Sequence, residues 1–99
     1  MDIIVTRNAA IHMLKHNVFP REIHDAGKDT ARVLVRRGRD IYFLYAKTPA
    51  GRRLAILLFK RPAGFFAKSA HEMMPSEKRL YQKKRKTRRN DEADEKEGA

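Results

Sequence analysis

The chain contains no cysteine, which excludes disulfides and any thiolate metal site. Such a composition suits a reducing compartment, and a cytoplasmic location is expected. No apolar run approaches the length of a membrane span, so no membrane role is expected. The opening "MDIIVTRNAA" lacks the apolar stretch of a signal peptide. Glycine is scarce, five in 99 residues, and nowhere forms a phosphate-binding loop. Ser69 lies near His71 but has no glycine elbow around it, which argues against a hydrolase triad. There is no internal repeat. Acidic side chains are the minority, 12 against 23 Lys plus Arg, for a formal net charge of +11.

The excess of cations belongs to the body of the chain. Residues 1 to 81 hold sixteen basic and seven acidic side chains, a net of +9, whereas residues 82 to 99 contribute only +2. A basic field of this kind attracts phosphate backbones and speeds their encounter. A nucleic acid or another polyanion is therefore the expected class of partner. The bland alternative is a charge that serves solubility alone.

The length suits one small domain, expected over residues 1–85. "DIIV", residues 2–5, is a short β-rich run, and Thr6 can cap a helix that starts after it. Residues 7–16 carry helical spacing, with Ala10, Ile11 and Leu14 on one side and Asn17 as a stop. Residues 19–27 form a second helix, opened by Pro20 and closed by Gly27. Strands are expected at 31–38, 40–46, 53–61 and 64–70, joined by Gly- and Pro-bearing turns short enough for an antiparallel meander. The central strands are apolar at nearly every position, which calls for cover on both faces. The N-terminal helices can cover one. A helix from Ser76, or a partner protein, must shield part of the other. The final "KKRKTRRNDEADEKEGA" has no apolar residue larger than alanine, so a disordered charged tail is expected at 86–99. The expected class is thus α+β: two short N-terminal helices packed on a three- to four-stranded antiparallel sheet, then a C-terminal helix and the tail.

His12 and His16 share a helical face and His24 could join them, but no glutamate stands in a metalloprotease frame, and no metal is expected. What remains is a set of cations beside a histidine. Arg52 and Arg53 start the third meander strand and Lys60 and Arg61 end it. Lys68 and His71 lie on and after the last strand, and Arg79 stands on the helix beyond. RNA carries its own nucleophile, the 2′-hydroxyl. A protein that cleaves it needs only to orient the strand, move a proton and stabilise a charged phosphorane. Arginine suits the last task and His or Glu the second. The same cations could equally bind phosphates without chemistry.

Three segments carry a resemblance. "LKHNVFPREIHDA" resembles the "KHGV…EE…A" helical opening of BrnT-like toxins, "YAKTPAGRRLAILLF" their "G-x-T-x-x-G-R-x-L" hairpin, and "AKSAHEMMPSEKRLYQ" their "ISARxMTxxERRxYE" close. They run in family order over residues 12–82. The family belongs to the RelE/ParE toxins of type II toxin–antitoxin systems. The resemblance implies helices on an antiparallel sheet, a metal-independent endoribonuclease without a cofactor, and a cognate antitoxin protein as partner. Lys15 and His16 match its Lys-His pair, Arg52 its hairpin arginine, Glu77 and Arg79 its "ERR", and Tyr81 its tyrosine. His71 replaces the arginine of "SAR", and Ala46 the hairpin glycine.

The expected catalytic residues are therefore His71, Arg52, Arg79 and Glu77, with Lys15, Arg53, Lys60, Arg61 and Lys68 binding RNA. The expected function is a toxin-type endoribonuclease. The alternatives are a non-catalytic RNA- or DNA-binding protein using the same surface, and a domain that binds only a protein partner. Alone, the chain is expected as a monomer or weak dimer.

Overall fold

The computed structural model describes residues 1–84. The expected charged tail and the end of the expected domain at residue 85 lie outside the described residues. The elements run β1 (Ile3–Ile4), α1 (Arg7–Leu14), α2 (Pro20–Gly27), β2 (Val33–Gly38), β3 (Ile41–Lys47), β4 (Arg53–Arg61) and β5 (Gly64–Glu72). A third helix, α3, covers 75–84. The class is α+β, as expected, but the sheet has five strands in the order β1-β5-β4-β3-β2. Strands β2 to β5 form the antiparallel meander. The addition is β1, which precedes the helices and pairs in parallel with β5, Ile3 opposite Phe65 and Ile4 opposite Phe66. The β-rich run at residues 2–5 marked this strand, but nothing local shows that it pairs with a strand some sixty residues away, so an all-antiparallel sheet of three or four strands was too small.

Local chemistry explains the helix ends. Thr6 Oγ1 accepts the Ala9 N–H at 3.3 Å and caps α1. Asn17 closes it in the left-handed region, φ 58°, while the Val18 N–H returns to the Met13 carbonyl at 3.1 Å. Helix α2 starts Phe-Pro-Arg-Glu, and α3 starts Met-Pro-Ser-Glu. In each, proline supplies a preset φ and needs no N–H partner. In each, the glutamate reaches back to the backbone N–H that precedes the proline: Glu22 to Phe19 at 3.1 Å, Glu77 to Met74 at 2.9 Å.

Side chains alternate across a strand, so the register assigns every residue to a face. The first face carries Leu44, Ala46, Leu54, Ile56, Leu58, Ala67 and Ala70, all buried beneath α1 and α2. The second face is layered in rows. The row Val33–Tyr45–Ala55–His71 lies under α3, where Val33, Tyr45 and Ala55 join Met73 and Tyr81 in a smaller cluster. The next rows, Val35–Phe43–Leu57–Ser69 and Ile41–Phe59–Phe66, are only half-buried. The expected two-sided cover is therefore complete on one face and partial on the other. β5 holds one residue too many: Leu57 pairs with Ser69 but Leu58 with Ala67, leaving Lys68 as a bulge. The bulge lets Ala67 and Ala70 both face the helices although they stand three apart.

Tyr81 fixes α3 to this scaffold. It is fully buried and its hydroxyl donates to Asp29 Oδ2 at 2.7 Å. The same carboxylate accepts the Lys47 N–H and the Ala31 N–H, each at 2.9 Å. One aspartate thus joins the α2–β2 connection, the end of β3 and α3. Removing a hydroxyl that donates to a carboxylate costs about 1.5–3 kcal/mol. Tyr81→Phe is expected to lower the urea midpoint accordingly with an unchanged slope; an unchanged midpoint would mean that α3 is held by packing alone.

Candidate functional site

The end of β5 and the start of α3 place His71 and Glu77 together. His71 Nε2 lies 2.9 Å from Glu77 Oε1 and 3.2 Å from Oε2. An ionised carboxylate only accepts, so Nε2 carries the hydrogen, and in the neutral ring Nδ1 is the basic nitrogen. The imidazole side chain is 42% exposed while the carboxylate is 17% exposed. A shielded acid thus orients an accessible base. Glu77 holds its position because it also closes the first turn of α3.

The other two expected catalytic residues do not join this pair. Arg52 Nη1 contacts Glu22 Oε1 at 2.7 Å, Glu22 Oε2 at 3.0 Å and the Asn17 carbonyl at 2.6 Å. Its Nη2 lies 4.0 Å from Glu72. Glu72 pairs with Leu54 and so projects to the helix-covered face, while His71 pairs with Ala55 and projects to the α3 face. The sheet therefore separates Arg52 from His71. Arg79 is exposed and stands two helical positions after Glu77, about 200° around α3, so it points away from the pair.

Arg53 takes a place the sequence assigned to its neighbour. It stands two residues before Ala55 on β4, which puts it on the His71 face. Its Nε is buried and has no hydrogen-bond partner among the described residues. Buried donors of this kind are uncommon and call for an acceptor. The resemblance favoured Arg52, whereas the strand register brings Arg53 to the His71 face.

The remaining cations divide. Lys15 is exposed at the end of α1. Lys60, Arg61 and Lys68 gather at the far end of the sheet and sit over rings: Lys60 Nζ 6.0 Å from the Phe65 centroid, Arg61 5.5 Å and Lys68 5.3 Å from that of Phe59. Arg37, which the sequence gave no reason to single out, lies 5.9 Å from the Phe43 ring and contacts the Tyr45 hydroxyl at 3.4 Å. Tyr81, matched by the resemblance, is enclosed and committed to Asp29. Ala46 is fully buried under the helices, where the absence of a larger side chain fits the packing. His12 and His16 meet edge to face, 5.6 Å between centroids.

Comparison with protein families, with curated proteins and with solved structures finds no match to this chain. No helix among the described residues is long and apolar enough to cross a membrane.

Proposed function

We propose that the chain is a toxin-type endoribonuclease that cleaves RNA by attack of the 2′-hydroxyl, without a metal or other cofactor, and that a cognate antitoxin protein holds it in check. One observation carries this reading: a half-exposed imidazole is paired at 2.9 Å with a shielded carboxylate on a strongly basic body. His71 Nδ1 takes the proton of the 2′-hydroxyl. The freed oxygen attacks the adjacent phosphorus, the bond to the 5′-oxygen breaks, that oxygen takes a proton from water while the imidazolium returns its own to solvent, and a cyclic phosphate and a 5′-hydroxyl result. Glu77 stabilises the imidazolium formed on the way. In this reading Arg53, on the His71 face, takes the role first expected of Arg52 and Arg79 and neutralises the phosphorane, since its fork matches phosphate oxygens.

Purified protein, an RNA substrate and EDTA test the reading, with the product ends analysed. Cyclic phosphate and 5′-hydroxyl ends support it; stable binding without cleavage moves the function to an RNA-binding module. That second reading draws on Arg52 and Arg79, which stand away from His71 and leave fewer cations at the reacting phosphate. Glu77→Gln separates the roles of the carboxylate. The amide oxygen still accepts the Met74 N–H, so the melting temperature is expected to hold. The rate is expected to fall about tenfold, because a neutral partner stabilises the imidazolium less. A rate equal to wild type would make Glu77 a helix cap only.

The antitoxin fits the apolar groups left outside. Ile11 is 51%, Leu14 44% and Phe19 53% exposed around α1 and the α1–α2 turn. An acidic or amphipathic segment complements both these groups and the surrounding charge. Alone, the chain is a monomer or weak dimer.

A further inference from the structure

We propose that the uncovered end of the second sheet face is a stacking platform for unpaired nucleotides, which makes single-stranded RNA the substrate class; this rests on the ribonuclease reading. Phe59 and Phe66 are cross-strand partners on that face. Both are half-buried, so their rings are fixed yet reachable. A hollow of about 270 Å³ opens beside them, lined also by Thr6, Arg61, Ala67 and Lys68. Phe43 continues the aromatic surface one row on. Cations stand at its rim: Arg61 and Lys68 over Phe59, Arg37 over Phe43.

Rings alternating with cations are what a single strand requires. Any base stacks on an aromatic face, and the cations track the backbone. A duplex keeps its bases stacked inside and offers no ring to Phe59 or Phe66. Charge complementarity also speaks for RNA, since all three rim residues are basic. The geometry connects the platform to the chemistry. β5 carries Phe66, the bulged Lys68 and His71 in succession, about 16 Å of strand from Phe66 to His71. A base on Phe66 and a phosphate on Lys68 lead the backbone along β5 toward the imidazole.

The test measures binding by anisotropy in the full-length protein. It uses an unstructured RNA of about twelve nucleotides, within the span such surfaces engage, and a duplex of the same length. Wild type is expected to prefer the single strand. Phe59→Leu and Phe66→Leu, which keep apolar bulk but remove the ring, are each expected to weaken single-strand binding about tenfold. A 2-aminopurine in the strand is expected to lose fluorescence on binding. Should either leucine variant fail to fold, Arg61→Gln and Lys68→Gln, both at exposed positions, are each expected to reduce the salt slope of binding by about 0.7. Equal affinity for strand and duplex overturns the proposal. So does single-strand affinity unchanged in the folded variants, or a dimer in light scattering that Phe59→Leu disperses, since a second copy would then occupy the face. Cleavage that depends on His71 but shows no strand preference removes the platform and leaves the enzyme. Strand preference in a wild type that never cleaves does the reverse.

Discussion

Cleavage in EDTA is expected to fall by roughly 10²- to 10⁴-fold when His71 becomes alanine, the range for a lost general acid–base group, while RNA affinity stays nearly constant. The imidazole is one contact among many cations, so it carries little of the binding. It is also the only half-exposed base held by a carboxylate among the described residues: Nε2 is engaged by Glu77, which leaves Nδ1 for the substrate. The variant should fold, because His71 ends the α3-covered row and stands outside its buried cluster. Two companion measurements sharpen the outcome. Arg53→Gln is expected to lower the rate more than it lowers affinity, whereas Lys15→Gln, far along α1, lowers affinity slightly and rate not at all at saturation. Equal cleavage by wild type and His71→Ala would remove His71 from the reaction and, with it, the observation on which the ribonuclease reading stands.

The melting temperature is expected to drop by about 10 °C in Arg52→Ala, which corresponds to about 2 kcal/mol in a domain of this size. Arg52 ties the β3–β4 hairpin to the α1–α2 turn through Glu22 and the Asn17 carbonyl. Its side chain is 25% exposed and that of Glu22 20%, so water screens the pair only in part. Loss of the arginine leaves the shielded Glu22 carboxylate with the Phe19 N–H alone, which costs more than an exposed ion pair would. A double-mutant cycle with Glu22→Gln isolates the pairwise share. If Arg52→Ala instead kept its melting temperature and lost cleavage, the residue would belong to the site after all and the salt bridge would be incidental.

Much of the architecture was readable in the chain. Apolar runs and turn residues located the four meander strands to within two residues at either end, and Thr6, Asn17, Pro20 and Gly27 marked the helix ends because capping chemistry is local. The unbroken apolarity of β3 and β4 called for cover on both faces, which the fold supplies in full on one and only in part on the other. What stayed hidden depends on register. Arg52 and Arg53 are neighbours in sequence and fall on opposite sides of the sheet, as do His71 and Glu72. His71, Glu77 and Arg79 were each named as candidates, but the pairing of His71 with Glu77 was not foreseen, and Arg79, grouped with them by the resemblance, turns away by helical geometry. The bulge at Lys68 shifts face parity within β5, and nothing in "FFAKSAHE" announces it. Arg37 and the Phe59–Phe66 pair become a surface only once four strands are side by side.

The double duty of Glu77 ties the stillness of the imidazole to the fraying of a helix. The carboxylate that orients His71 also receives the Met74 N–H at the first turn of α3, and terminal turns open far more often than helix middles. Each time that turn opens, His71 loses its partner. The exchange rate of one backbone hydrogen, that of Met74, therefore keeps time for the site: a slow exchange means an imidazole held in place, and a ligand that steadies His71 will slow it at a position the ligand never touches.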